Sequence, residues 1–343
     1  MKRYKFEKKS LHVSQDLLDK MTDACLSLPK ITRATLAEKA GVSLVTAGKF
    51  LTATADCKFT HKKLHYTEGE RKASYRHVLN EALSILVIDL SSPRFSMSII
   101  RGGSECRFFE YHDYIPDISF SDNLSLFLSR SGASAVKQPF GISAICAVIS
   151  DEGMPACRSA VSVATKEKLS EIEDTIARFF GAMPILCTEQ SNAIALALKY
   201  GKIKAPSNTR SAHIYVGKGI SLSVYKGNSL LCVLNPKGLI VNGIETLCEL
   251  HEKMRSEEDL GKILYRLVNL ADCTFSPETY IVEYDTVKFG STALKHIKRA
   301  FAAVGKQEPE ISSICRTPSL AAFGAAYLSA ARLIRLHITA EVE

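Results

Sequence analysis

The ten cysteines form no C-x-x-C pair, no apolar stretch approaches the ~20 residues of a membrane span, and no Ser/His/Asp or Cys/His nucleophile set emerges. The first absence argues against a zinc ribbon or dithiol redox motif, and the second against membrane passage. The cysteines (Cys25, Cys57, Cys106, Cys146, Cys157, Cys187, Cys232, Cys248, Cys273 and Cys315) are scattered, several inside apolar runs such as Ile145-Cys146-Ala147, as reduced core residues would be. The start Met1-Lys2-Arg3 lacks an apolar export segment, so a cytoplasmic protein is expected. Net charge is also missing from most of the chain. The last 263 residues hold 28 basic and 28 acidic side chains, whereas residues 1 to 80 hold 16 basic against 8 acidic, so the whole net charge of +8 lies there. What remains is ordinary: 343 residues with 46% apolar content, enough for about two or three globular domains.

Within the basic segment, the run from Arg33 to Leu51 has helix-turn-helix spacing. Two short helices that cross steeply need a small contact residue, a turn residue tolerant of positive φ and apolar residues facing one core. Ala37 and Gly41 supply the first two, and Leu36, Ala40, Val42, Ala47 and Phe50 recur as the inward face. Ser43 is placed to cap the second helix, leaving Ser43, Leu44, Thr46 and Lys49 outward, where a recognition helix meets base edges. An ordinary helical hairpin has the same spacing, and it is the segregated charge that favours DNA. Downstream, Lys58 to Lys63 and a strand Ala73 to Leu79 carrying Arg76 flank a turn with Arg71 and Lys72, the layout of a basic wing. A helix from Ser14 to Leu28 completes a three-helix core. His61, His65 and His77 are expected to be solvated wing residues.

Beyond residue 80 the pattern alternates. Strands are expected at Ile85–Asp89, Phe95–Arg101, Cys106–Tyr111, Ile142–Ser150 and Ile185–Cys187, with helices at Asn123–Ser131, Lys166–Phe179 and Ser191–Tyr200. A polar linker, Lys202 to Arg210, precedes strands His213–Val216, Leu222–Tyr225, Ser229–Val233 and Tyr280–Glu283, and helices Ile244–Met254, Ser256–Leu270 and Ser291–Val304. A helix from Ser319 to Leu336 follows. Two successive β-hairpin-then-βα halves predict a duplicated α/β architecture with a cleft between lobes. The paired acids Asp151-Glu152 at a strand end are expected to be a solvated loop.

This order of features resembles the ROK group of repressors and sugar kinases. The residues that carry the likeness are the helix-turn-helix, the wing ending Gly69 to Ser74, the strand end Ile88-Asp89, the helix entry Thr188 to Leu198, the turn Gly217-Lys218-Gly219-Ile220 and the terminal Gly324-Ala325-Ala326. The resemblance implies an α/β fold: an N-terminal winged helix-turn-helix over 1–80, then a two-lobed actin-like, duplicated ribonuclease-H-like body. Lobe 1 would span 81–200, completed by a helix within 319–343, and lobe 2 would span 201–318.

Departures from the family pattern point away from kinase chemistry. The first phosphate hairpin, a D-x-G-G-T in the family, reads Asp89-Leu90-Ser91-Ser92-Pro93 here, so side chains and a proline stand where backbone amides should approach phosphate. The second loop keeps Gly217 and Gly219 but gains Lys218, and Val282 to Thr286 replaces a glycine-rich adenosine loop with bulk and charge. The family's base-bearing E-N-D-A-N-A aligns with Thr188 to Ala193, so the carboxylate base becomes Gln190, beside Glu189 and Asn192. The sugar-contact motif and zinc cysteines are absent from residues 226–252, where Cys232, Cys248 and His251 do not make a tetrahedral set. The expected protein is therefore a DNA-binding regulator, a repressor in its family's manner, with an inactive kinase-like body, no cofactor and no metal. Its expected partners are double-stranded operator DNA, a second copy of itself and an unidentified small effector. A kinase that keeps a DNA-binding module, using Asp89 for magnesium and Glu189 as base, and an actin-like scaffold remain the alternatives.

Overall fold

A computed structural model describes residues 6–28, 31–65, 74–79, 83–91, 94–101, 105–138, 141–150, 168–200, 209–216, 220–227, 229–234, 240–241, 245–246, 249, 253–254, 256–284, 289–290, 292–313 and 318–341. The chain opens with a short strand, β1 (Lys9–Leu11), and three helices, α1 (Gln15–Ser27), α2 (Arg33–Ala40) and α3 (Leu44–Asp56). Each helix starts where a hydroxyl can accept from the unpaired amides of its first turn: Ser14 from Leu17, Thr32 from Thr35, and Ser43 from Thr46. Helix α2 stops at Gly41, whose φ of 66° is the left-handed conformation the turn requires. A hairpin of β2 (Thr60–His65) and β3 (Ser74–Leu79) follows, and Ile31 adds a bridge to His77 at its edge.

The body contains two five-stranded sheets built on one plan. In the first, β4 (Ser84–Asp89), β5 (Arg94–Arg101) and β6 (Glu105–Asp113) run antiparallel. After α4 (Phe120–Phe127), which runs on through a π-turn, β7 (Ala144–Ile149) and β8 (Ile185–Glu189) join parallel to β4, separated by α5 (Leu169–Phe180). Helix α6 (Gln190–Lys199) leaves the end of β8. In the second sheet β9 (Arg210–Val216), β10 (Ile220–Lys226) and β11 (Ser229–Leu234) are antiparallel. A two-stranded ribbon of β12 (Ile240–Val241) and β13 (Glu245–Thr246) precedes α7 (Glu257–Phe275), and β14 (Thr279–Tyr284), α8 (Ala293–Ala303) and β15 (Glu310–Ser313) complete the half. Both sheets thus have the spatial order third, second, first, fourth, fifth strand, the duplication expected from the sequence. Among the described residues no helix is long and apolar enough to cross a membrane.

Alternate residues of β4 and β7 serve two layers. Val87, Cys146 and Val148 pack toward α6 and the long helix α9 (Leu320–His337), while Leu86, Ile88, Ile145 and Ala147 pack toward α4 and α5. Helix α9 then ends in β16 (Ile338–Ala340), which pairs parallel with β1. That pairing joins the chain's first described strand to its last. Phe6 stacks on Phe59 and meets His337 edge-on, Asp23 accepts from Lys199 and Tyr200, and Arg335 lies 2.7 Å from Asp19. The three-helix unit therefore shares one core with the C-terminal helix.

Two expectations are corrected. Glu245 and Thr246 belong to β13, not to a helix starting at Ile244. The antiparallel pairing of Glu245 with Val241 and of Thr246 with Ile240 outweighs the helical spacing, and Thr246 accepts from the Glu249 amide as a cap. His77 is buried rather than solvated. Its Nδ1 lies 3.3 Å from Thr60 Oγ1, and burial together with nearby Lys62 and Arg33 lowers its pKa, keeping it neutral near pH 7.

Candidate DNA-reading face and interlobe cleft

Two regions hold the residues singled out above. The first is the outer face of α3. Ser43, Leu44 and Lys49 are exposed there, as expected, whereas Thr46 is half-buried with its hydroxyl 2.9 Å from Ser43 Oγ. Arg33, exposed at the start of α2, lies across α3: a Cβ added at Gly48 would sit 3.1 Å from Arg33 Nε. Gly48 thus leaves room for a cation against the helix. Lys58, His61 and Lys62 are exposed along the start of the hairpin, and Arg76 stands in β3 opposite Lys63. Arg71 and Lys72 fall outside the described residues.

The second region is a cleft between the sheets, lined by Asp89, Ser91, Arg94, Ser96, Gln190 and Glu283 among others. Asp89 ends β4 and is buried. Ser91 donates to its Oδ1 through the backbone amide (3.1 Å) and the hydroxyl (2.6 Å), and Ser319 Oγ donates to Oδ2 (2.8 Å). Ser319 also caps α9, accepting from Ala322 N. From the other sheet, Glu283 accepts from Leu320 N at 2.8 Å and lies 2.7 Å from His213 Nε2, both side chains being buried. Carboxylates from both sheets therefore converge on the N-terminus of α9, where backbone amides and the helix dipole favour negative charge. Tyr225 Oη adds a second link between the halves, donating to Ser191 O.

Burial pushes the Asp89 carboxyl up from 3.8, with hydrogen bonds from Ser91 and Ser319 opposing and the Glu283 charge adding to the rise. An aspartate raised in the fold binds more protons there than when unfolded. The stability it contributes is whole below 3.8 and is lost as pH rises through the folded value. Asp89→Asn is expected to gain stability relative to the parent as pH goes from 4 to 7, read as the difference in urea midpoints across that range. A difference that does not change with pH would contradict this assignment.

Gln190 lies in the cleft lining at the start of α6. Glu189, one residue back, accepts from Asn192 Nδ2 at 3.1 Å. Ser92, Gly217, Gly219 and the acids Asp151-Glu152 lie outside the described residues. Two residues of this network carry no signal in the sequence: His213 sits centrally in β9 as one more polar residue of a strand, and Ser319, bridging Asp89 to α9, reads as an ordinary helix cap. Burial also pushes the thiols of Cys25 and Cys146 to about 12, so they are unreactive core residues.

No protein-family model and no curated protein matches the sequence. Solved structures do match in fold. One is a ROK family transcriptional regulator described as a homologue of the Escherichia coli Mlc protein, at 12% identity with a TM-score of 0.57, covering 93% of this chain and 97% of its own. A ROK family glucokinase from Streptomyces griseus, solved with glucose and AMPPNP, matches at 12% identity and a TM-score of 0.52, covering 71% of this chain and 98% of its own. An inorganic polyphosphate/ATP-glucomannokinase from Arthrobacter sp. strain KM matches at 17% identity and a TM-score of 0.50, covering 73% of this chain and 99% of its own. The chain thus has the fold shared by ROK regulators and sugar kinases.

Proposed function

We propose that the chain is a sequence-specific DNA-binding regulator of the ROK type, a repressor, whose kinase-like body assembles a homodimer and does no phosphoryl transfer. The observation that carries the reading is the unit α2, Gly41, α3: a left-handed turn and a hydroxyl cap present the first turn of α3 to solvent, beside Arg33 and Lys49. With α1 and the β2–β3 hairpin this unit makes a winged helix-turn-helix, and Arg33, Ser43, Leu44, Thr46, Lys49, Arg71, Lys72 and Arg76 form its DNA face. The regulator match extends over about a fifth more of the chain than the kinase matches, an amount that suits residues 1–80. We divide the remainder into lobe 1, 81–200 with the terminal helix, and lobe 2, 201–318. Two-fold symmetry places the recognition helices on half-sites about one helical turn, or a multiple of it, apart.

The cleft supports an inactive body. A nucleotide triphosphate needs cations and free amides, yet the lining described above carries Asp89 and Glu283 against one guanidinium, Arg94, which is 2.8 Å from Asp113. The amide of Leu320 at the helix terminus is already taken by Glu283. The described residues do not fit the nucleotide that the kinases of this fold bind, and Gln190 cannot take a hydroxyl proton near neutral pH. Gln190→Asp alone is expected to yield no phosphorylation of glucose or mannose from ATP, because the phosphate-facing groups are altered as well. Sugar phosphate formed by that variant would overturn the inactive-body reading.

The regulator reading is tested by binding of the purified protein to a mixed-sequence duplex in rising salt. Affinity should fall by orders of magnitude between roughly 50 and 200 mM salt as counterions return to the phosphates. Lys49→Ala should weaken binding to all duplexes and lower the salt slope by about one. Salt-independent binding, or none, would favour the scaffold reading instead.

A further inference from the structure

The first turn of α3 shows an unusual division of labour. Its two hydroxyls, on Ser43 and Thr46, are bonded to one another and the Ser43 oxygen accepts from the Thr46 amide, so their hydrogen-bonding capacity is partly spent on the helix itself. The side chains that stand out are apolar. Val45 is 68% exposed and Leu44 58%, the two most exposed large apolar side chains among the described residues. Burying such a side chain is worth about 1.5–3 kcal/mol, so leaving two adjacent ones in water is a standing cost unless something covers them.

What surrounds them narrows the occupant. Val45, Lys49 and Thr52 follow one another at i, i+4 and i+7 along one exposed stripe of the helix, and the Arg33 side chain lies against Gly48 beside it. The apolar pair is therefore set among cations, which suits a polyanion that presents small apolar groups at the depth a helix reaches. In duplex DNA the only such group on a base edge is the 5-methyl of thymine, which projects into the major groove. Resting on the regulator reading above, we infer that Leu44 and Val45 are specificity-determining residues that read thymine methyl groups, so that each half-site carries thymine where the first turn of α3 docks. Lys49 and Arg33 hold the neighbouring phosphates. In this arrangement base selection at those positions comes from apolar contact rather than from the Ser43 and Thr46 hydroxyls.

The test uses the full-length protein and a duplex it selects from a random pool. Each thymine of that duplex is replaced in turn by deoxyuridine, which removes one methyl and leaves pairing and the O4 acceptor unchanged. Affinity should fall about fourfold at each contacted thymine, the worth of one buried carbon. In Val45→Ala or Leu44→Ala the ratio of thymine to deoxyuridine affinity at one such position should shrink toward one, with the salt slope unchanged. Both sites are exposed, so the variants should fold, and an unaltered urea midpoint confirms it. Selective binding in which every deoxyuridine duplex binds as tightly as its parent overturns the inference and leaves the regulator reading standing. Failure to select any duplex overturns the regulator reading itself. A protein-only dimer that dissociates in Val45→Ala, with thymine and deoxyuridine equivalent, would assign the patch to a second copy and also overturn the inference.

Discussion

Gly324→Ala is expected to destabilise the protein by about 3 kcal/mol, the upper part of the range for overpacking a rigid site. A Cβ on Gly324 would lie 1.6 Å from the carbonyl oxygen of Ala193 and 2.5 Å from its carbon. Both atoms are backbone, so no rotamer change relieves the overlap, and α9 must withdraw from α6. These helices carry Ser319, bonded to Asp89, and Gln190 into the cleft lining at their N-terminal ends, so the shift reaches the network around Asp89. A lower urea midpoint at unchanged m-value is the expected readout. Gly261→Ala is the control. Its Cβ would make ordinary contact with His296 at 3.4 Å, and replacing a mid-helix glycine favours the helix by up to about 1 kcal/mol.

Glu283→Ala is the second large effect. The glutamate is 1% exposed and serves two buried donors from different parts of the body, the Leu320 amide and the His213 ring. Removing it strands both, and each unsatisfied buried group costs about 1–3 kcal/mol, so a loss of roughly 2–6 kcal/mol is expected. Glu283→Gln keeps an acceptor for the α9 amide and should recover more than half of that loss. Equal destabilisation by Ala and Gln would show that charge, rather than the hydrogen bond to the helix terminus, is what the site uses. Because the contact joins β14 to α9, the alanine variant should also loosen the cleft, seen as faster hydrogen exchange in the first turn of α9.

The parts of this fold that local chemistry determines were legible in the sequence. Ala37, Gly41 and Ser43 place a small contact residue, a left-handed turn and a helix cap within seven residues, and in the structure Ala37 is buried, Gly41 makes the turn and Ser43 caps the next helix. The β4 run Ile85 to Asp89 was equally plain, since a strand buried on both faces reads as continuous apolar sequence. What the sequence hid was decided by distant partners. Lys9–Leu11 is too short to show a period and becomes a strand because Ile338–Ala340 lies beside it. His77 looks like a wing residue until Ile31 and Thr60 enclose it. Glu283 was visible as an obstacle to a nucleoside, but its partnership with His213 and the α9 terminus depends on strand pairing that no local pattern announces. Of the pair proposed to read thymine, Leu44 was already placed outward by the spacing, whereas Val45 looks like an ordinary apolar helix residue and only its exposure marks it.

We propose, above all, that this chain reads DNA sequence as a symmetric dimer. The most direct test is selection of duplexes from a random pool by the purified protein near physiological salt, followed by sequencing of the bound fraction. An enriched palindrome whose half-sites are separated by about one helical turn or a multiple of it is expected. Folded protein that enriches no motif would contradict it.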